Sequence, residues 1–236
     1  TYLDLLHSGK VMVLHNAYSA DDCDRIVKSC IDWTTRESES FSPTVDGAPD
    51  FYQSVDIAQA SKSFYSFQRI QKQFYLYRWN NDPYELFPVA DKTWSRFKIM
   101  SGWSADEFCT NKPSDGVVDR LHIHHYPRGL GEQELHADPP ARQKFIQGFN
   151  LTTLGKDYYS GGLYFIQGNS ARLYVDEHLT KGDGYIAYPT VIHGVEKIDC
   201  QSAPDWGMSR GRWFMGFYSM DSDLSKNKNR GWPEKL

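Results

Sequence analysis

The sequence predicts a mainly β protein with flanking helices, built on a double-stranded β-helix (jelly-roll, cupin-like) core. Three observations carry this expectation. Aromatic residues make up 15% of the chain, and flat side chains pack well on a pleated surface. From about Val117 onward, short runs of Tyr, Phe, Ile, Leu and Val are separated by Gly, Pro, Asp and Asn. Helical periodicity is confined to the first half, so helices precede strands, the order expected of a jelly roll with helices packed on its outside.

Taken in order, Val11 to Leu14 reads as a short strand and Ser19 as a helix N-cap. Cys23, Ile26, Val27, Cys30 and Ile31 then recur at helical spacing and form one apolar face. Thr34 to Asp50 is rich in Ser, Glu, Pro and Gly and reads as an irregular loop. An aromatic segment runs from Phe51 to Trp79, and its Phe64–Trp79 part reads as core packing in preference to a substrate platform. Asp82-Pro83 has the form of an N-cap with Pro in the first turn. Pro88 should break or kink that helix, with Trp94, Phe97 and Met100 marking its resumption. Strands are expected near 119–126, 133–138, 145–153, 162–167, 171–175, 184–188, 193–198 and 210–219. The charged run Ser225 to Arg230 reads as a solvated tail. The expected organisation is one domain over 1–236: helical and β support over 1–116, a jelly-roll core over 117–220 and a tail over 221–236.

A net charge of −4 and a pI near 6.0 give no basic footprint for nucleic acid. No run of ~18 apolar residues suits a membrane span, and the first residues lack a basic-then-apolar leader. A cytoplasmic location is the expectation, with a small molecule as partner and no nucleic acid or membrane. Cys23 and Cys30 lie seven apart on the expected helix, about 10 Å at 1.5 Å per residue. That exceeds the reach of a disulfide, so these two, with Cys109 and Cys200, are expected as free, mostly buried thiols in a reducing compartment.

His136-Ala137-Asp138 is the leading chemical motif. On a strand, residues i and i+2 share a face and can reach one ion. With 8 His and 21 Asp, roughly 0.7 such matches arise by chance, so the context must decide. Upstream, Leu121-His122-Ile123-His124-His125-Tyr126 ends in a Gly turn. Downstream come Gly161-Gly162, Lys181-Gly182-Asp183-Gly184, His193-Gly194-Val195 and finally Arg210-Gly211-Arg212-Trp213.

In that order these pieces resemble the prolyl-4-hydroxylase-like branch of the 2-oxoglutarate/Fe(II) oxygenases, over roughly residues 119–219. Two features differ from the family pattern: Leu163 follows the Gly-Gly turn where Glu is common, and an insertion over Asp199 to Met208 lengthens the gap between His193 and the closing Arg. The resemblance implies His136, Asp138 and His193 as the Fe(II) ligands. Two imidazoles and one carboxylate occupy one face of such an ion, leaving three positions for 2-oxoglutarate and O2, with ascorbate as a possible reductant. An Asp at this position implies oxygen insertion or desaturation in place of halogenation. The resemblance also implies an Arg fork for the distal carboxylate of 2-oxoglutarate. Arg212 is the first choice and Arg210, two residues earlier on the same expected face, the second; the Tyr126 hydroxyl is a further contact. His124 and Asn150 are candidate substrate contacts, as are Arg142 and Arg128 near the barrel mouth.

The activity so implied is hydroxylation, desaturation or cyclisation of a small organic substrate, an amino acid or specialised metabolite, with a protein side chain as the next option. Two other classes stay open: a metal-dependent hydrolase using the same three residues, and a jelly-roll binding module without catalysis. The hydrolase wants a nearby general-base Glu, and the binding module has no use for a buried Arg facing the metal. A second metal site at His122-Ile123-His124-His125 lacks the Glu that cupins place after it.

Overall fold

In a computed structural model, residues 1–56, 67–168 and 170–234 are described. Three helices, α1 (Tyr2–His7), α2 (Ala20–Arg36) and α3 (Leu86–Met100), lie in the first half. The strands are β1 (Met12–Leu14), β2 (Phe51–Val55), β3 (Arg69–Tyr77), β4 (Val117–Pro127), β5 (Glu132–Ala137) and β6 (Ile146–Asn150), then β7 (Gly162–Ile166), β8 (Arg172–Tyr174), β9 (Gly184–Ala187), β10 (His193–Glu196), β11 (Gly211–Asp221) and β12 (Trp232–Pro233). All eight strands expected after Val117 are present.

One sheet has the order β1-β9-β6-β11-β4-β3, with β2 added to β3. The other runs β5-β10-β7-β8, with β12 beside β5. β3 joins the two: Lys72 to Tyr77 pair with β4, while Arg69 and Ile70 pair with β5. Every pairing is antiparallel, so inward and outward residues alternate along each strand. Trp213, Met215 and Phe217 on β11 and Leu121 and Ile123 on β4 face the helical layer, where they meet Cys23, Ile26, Cys30 and Trp33 of α2. The opposite face of the same strands, carrying Arg212, Phe214, Tyr126, His124 and His122, lines the interior.

Ser19 caps α2, its hydroxyl accepting the Asp22 N–H. The Asp82 carboxylate accepts from the N–H groups of Leu86 and Phe87, at 2.9 and 2.8 Å, so it caps α3 from outside. The helix therefore starts at Leu86, not at Pro83, and it runs unbroken to Met100. Pro88 causes no kink because it sits in the first turn, where its missing N–H would have had no helical partner. Phe64 and its neighbours to residue 66 lie outside the described residues. All four cysteines are free, but only Cys23 and Cys30 are buried; Cys109 is intermediate and Cys200 exposed.

The run over 225–230 is solvated as expected, with Lys226, Asn227, Asn229 and Arg230 exposed, but it does not hang free as a tail. Lys228 pairs with Asp223 at 2.5 Å, and the Asn229 backbone and side-chain N–H groups both donate to Asp221. Beyond it, Trp232 and Pro233 pair with Ala137 and His136. The chain folds back because Asp221, buried at the end of β11, needs partners that this segment supplies.

Candidate metal centre and cavity

His136 on β5 lies directly opposite His193 on β10, and Asp138 follows just past the end of β5. One ligand atom from each of the three falls within 4.8 Å of the others, and no other such group is found among the described residues. The two imidazole rings are 4.2 Å apart, and Asp138 Oδ2 is 3.8 Å from His193 Nε2. His136 Nδ1 donates to the Glu134 carbonyl at 2.8 Å, and His193 Nδ1 to the Val191 carbonyl at 2.9 Å. Both bonds fix the tautomer that leaves Nε2 with its lone pair. Phe67 stacks on His136 at 3.9 Å and Phe165 on His193 at 5.3 Å, which holds the ring planes. Burial, with the adjoining His193 ring as the second cause, keeps His136 neutral well below the usual histidine range. Burial also pushes the Asp138 carboxyl up, although its neighbours His193 and Arg69 act the other way. A cation supplies what that carboxylate lacks. This donor set fits Fe(II) or another divalent transition metal.

The triad opens into a cavity of about 530 Å³ between the two sheets. At one end Arg212 and Tyr126 face each other across β11 and β4. Tyr126 OH donates to Gln133 Oε1 at 2.5 Å, and Gln133 Nε2 reaches His136 Nε2 at 3.2 Å, so this end connects to the His136–Asp138–His193 group. Burial raises the Tyr126 hydroxyl to about 12, so it stays a donor. Arg212, 1% exposed, donates through Nε to Asp176 Oδ2 at 2.5 Å and through Nη2 to Asp176 Oδ1 and the Asn150 carbonyl oxygen, at 3.0 and 3.1 Å. Burial alone would raise the Asp176 carboxyl, but Arg212 prevails and holds it below the usual range.

Other expected positions fare differently. Arg210 is exposed and does not line the cavity. It does not share a face with Arg212 because Gly211 between them adopts φ +124°, which breaks the strand alternation. Its carbonyl instead bonds His125 Nε2 at 2.8 Å. Asn150 is fully buried but touches Asp176 and Arg212, not the cavity. Arg128 also lies off the cavity, 3.8 Å from Asp199 beside the inserted segment. Arg142 does line the mouth, donating to Asp221 at 2.8 Å. His124 lines the cavity, and its buried Nε2 meets no hydrogen-bond partner among the described residues. His125 faces the other way and stacks on Trp213 at 4.6 Å, so the His122–His125 run makes no second metal group.

Several site residues had no clear sequence signal. Gln133 sits three residues before His136, which alternation would put on the opposite face. A β-bulge turns both inward: Val195 pairs with Gln133 while His193 pairs with His136. Asp176 comes from a 3-10 turn, Val175–His178, remote in sequence from Arg212. Arg69 and Arg120 line the cavity too, Arg69 over the Phe67 ring at 5.0 Å.

No protein-family model and no curated protein matches this sequence. Solved structures do match in fold. A Pseudomonas putida prolyl-4-hydroxylase superposes with a TM-score of 0.58 at 12% identity, covering 92% of this chain and 96% of that one. A Trichoplax adhaerens prolyl hydroxylase, in complex with a hypoxia inducible factor peptide fragment, gives 0.53 at 10% identity over 93% and 87%. A Neurospora crassa protein in complex with alpha-KG and thymine gives 0.54 at 10% identity over 93% and 79%. The chain thus has the double-stranded β-helix fold of the 2-oxoglutarate/Fe(II) oxygenases.

Proposed function

We propose that this protein is an Fe(II)- and 2-oxoglutarate-dependent oxygenase that couples conversion of 2-oxoglutarate to succinate and CO2 with oxidation of a C–H bond in a small organic substrate. The observation that carries the reading is the convergence of His136, Asp138 and His193 within 4.8 Å, both histidines presenting Nε2, inside a barrel of this class. Those three residues would hold the metal, which supplies the oxygen-activating chemistry that no side chain provides. Tyr126 and Arg212 line one end of the same cavity, and a hydroxyl beside a guanidinium suits a dicarboxylate's distal group. Gln133, linked to both Tyr126 and His136, orients the two parts relative to each other. Phe214, Tyr185 and Leu163 wall the interior and exclude water from the reacting groups.

A small substrate suits a cavity of about 530 Å³ that the segment around Lys228 to Gly231 helps to line. The hydrolase alternative needs a general-base Glu, and no Glu lines the cavity among the described residues. The test is succinate formation from 2-oxoglutarate in the presence of Fe(II) and ascorbate. Slow turnover without substrate, lost in His136→Ala and in His193→Ala, supports the reading. A protein that binds one metal ion yet forms no succinate with any substrate screened overturns it.

A further inference from the structure

Cationic side chains line both ends of the cavity, Arg212 at one and Arg120 at the other. Arg120, His122, His124 and Tyr126 all face inward from β4. At about 3.3 Å per residue, Arg120 lies roughly 20 Å along the strand from Tyr126. Arg120 is held in place: its guanidinium lies 4.2 Å from the centre of the Tyr75 ring, and its Nε donates to His122 Nε2 at 2.5 Å. An Arg can only donate, so His122 accepts at Nε2 and carries its proton on Nδ1, a neutral imidazole. Burial and then the charge of Arg120 hold it in that form.

Charge adds to this end of the cavity. Lys228 and Arg230 line it with Arg120, and both Arg120 and Arg230 act to lower the Lys228 amine, with burial the larger cause. Asp221 and Asp223 line this end as well, where Asp221 bonds Arg142 and Asp223 bonds Lys228. Between the two ends lies His124, 5% exposed, with Nε2 buried and without a hydrogen-bond partner among the described residues. Leaving a buried polar atom unsatisfied is costly, and a ligand atom in the cavity would remove the cost. The path between is bordered by aromatic rings: Tyr75 and Tyr218 lie against His122, Phe214 lies against His124, and the Phe214 and Tyr218 rings cover Gly216.

We propose that the substrate is an organic anion, its acidic group docking at Arg120 and a polar atom of its flat body hydrogen-bonding to His124, so that the reacting carbon lies toward the metal. The inference rests on the oxygenase reading for the bound anion's role as substrate, not for its binding. Arg120 and His124 are then substrate-binding residues, and the two cationic ends divide the labour: Arg212 takes the co-substrate and Arg120 the substrate.

The test is ligand-observed NMR on the full chain with saturating Mn(II) and 2-oxoglutarate. The probes are a library of arylalkanoic acids and aryl phosphates, each matched with its neutral amide or alcohol and its amine. The expected result is that acids or phosphates bind at least about tenfold tighter than their neutral partners, the order of one charge-assisted contact, and that amines do not bind. Arg120→Leu should abolish the preference and Arg120→Lys keep part of it. His124→Phe should weaken acids bearing a ring hydroxyl or carbonyl more than plain ones. Equal binding of acids and neutral partners, no binding by any acid or phosphate, or a preference that survives Arg120→Leu in a variant with unchanged thermal unfolding overturns the proposal. Failure of the oxygenase reading is seen separately, as absence of succinate while anion binding persists.

Discussion

Arg212 and Asp176 satisfy one another before any ligand arrives: two hydrogen bonds of 2.5 and 3.0 Å join a guanidinium and a carboxylate that are 1% and 2% exposed. Tyr158 OH and the Leu163 N–H also donate to Asp176. The pair aims Arg212 into the cavity and at the same time offsets its charge. Asp176→Ala leaves the guanidinium buried without its counter-ion, which typically costs about 3–5 kcal/mol. For a domain of this size the unfolding midpoint should fall by roughly 10 °C, measured by calorimetry. A drop of only a degree or two would show that the pair contributes little in solution. Asp176→Asn, which keeps the shape but removes the negative charge, should tighten 2-oxoglutarate binding by titration calorimetry.

Metal binding gives the second prediction. The wild-type chain should bind one Mn(II) or Co(II) with a rise in unfolding temperature, because an ion held only by the folded state stabilises it by mass action. His136→Ala, Asp138→Ala and His193→Ala should each weaken affinity at least ~100-fold, more than loss of an outer-shell partner. Equilibrium dialysis with metal analysis checks this. Unchanged stoichiometry in any of the three variants would place the ion elsewhere.

Acid should destabilise the fold early. Burial lowers His125 to about 4, and it lowers His122, His124 and His136 well below the usual 6.5. In each case the unfolded chain takes up the proton first. Stability is therefore full above pH 6.5 and falls as pH drops from there through the folded-state values. For His125 alone the loss is roughly 3 kcal/mol by pH 4. Asp50, which burial raises to about 6, and Asp138, which burial also raises, work in the opposite sense but are outnumbered by the four histidines. Denaturant titrations from pH 7 to 4 measure the slope. His125→Gln, which keeps a donor for the Arg210 carbonyl, should reduce it by about one proton's worth.

Gly148 on β6 sits beneath two rings. A Cβ there would lie 2.1 Å from Phe214 Cε2 and 2.6 Å from Tyr185 Cε1. Gly148→Ala should therefore cost about 1–3 kcal/mol through overpacking and drive Phe214 into the cavity. The expected result is a lower unfolding midpoint together with weaker ligand binding. Wild-type behaviour in both would mean that the rings move aside at no cost.

The parts of this architecture that obey period-two alternation were legible in the sequence. The eight barrel strands could be placed from their turn residues and the His136–Asp138 pair from its i, i+2 spacing, while His193, Tyr126, His124 and Arg212 were singled out by the order of motifs that resembles the family. Where local geometry departs from alternation, the reading failed. The turn at Gly211 sends Arg210 outward, and the bulge in β5 brings Gln133 to the His136–Asp138–His193 group. Partners contributed by segments far apart in sequence were equally hidden. Nothing near Asp176 signals that it holds Arg212, and a run such as Ser225 to Arg230 reads as a tail until Asp221 and Asp223 are seen to wait for it. Asn150 shows the same limit: strand position marked it as inward, but not that Asp176 and Arg212 take up its amide.

The placement of His136 against His193 also bears on how the barrel opens. They fall on neighbouring strands although much of the barrel's sequence lies between them. An ion shared by the two would act as a clasp across that seam, closing a long loop in the manner of a cross-link. Chelation should then speed unfolding more than it slows refolding, and protease should nick first along β5 and β10.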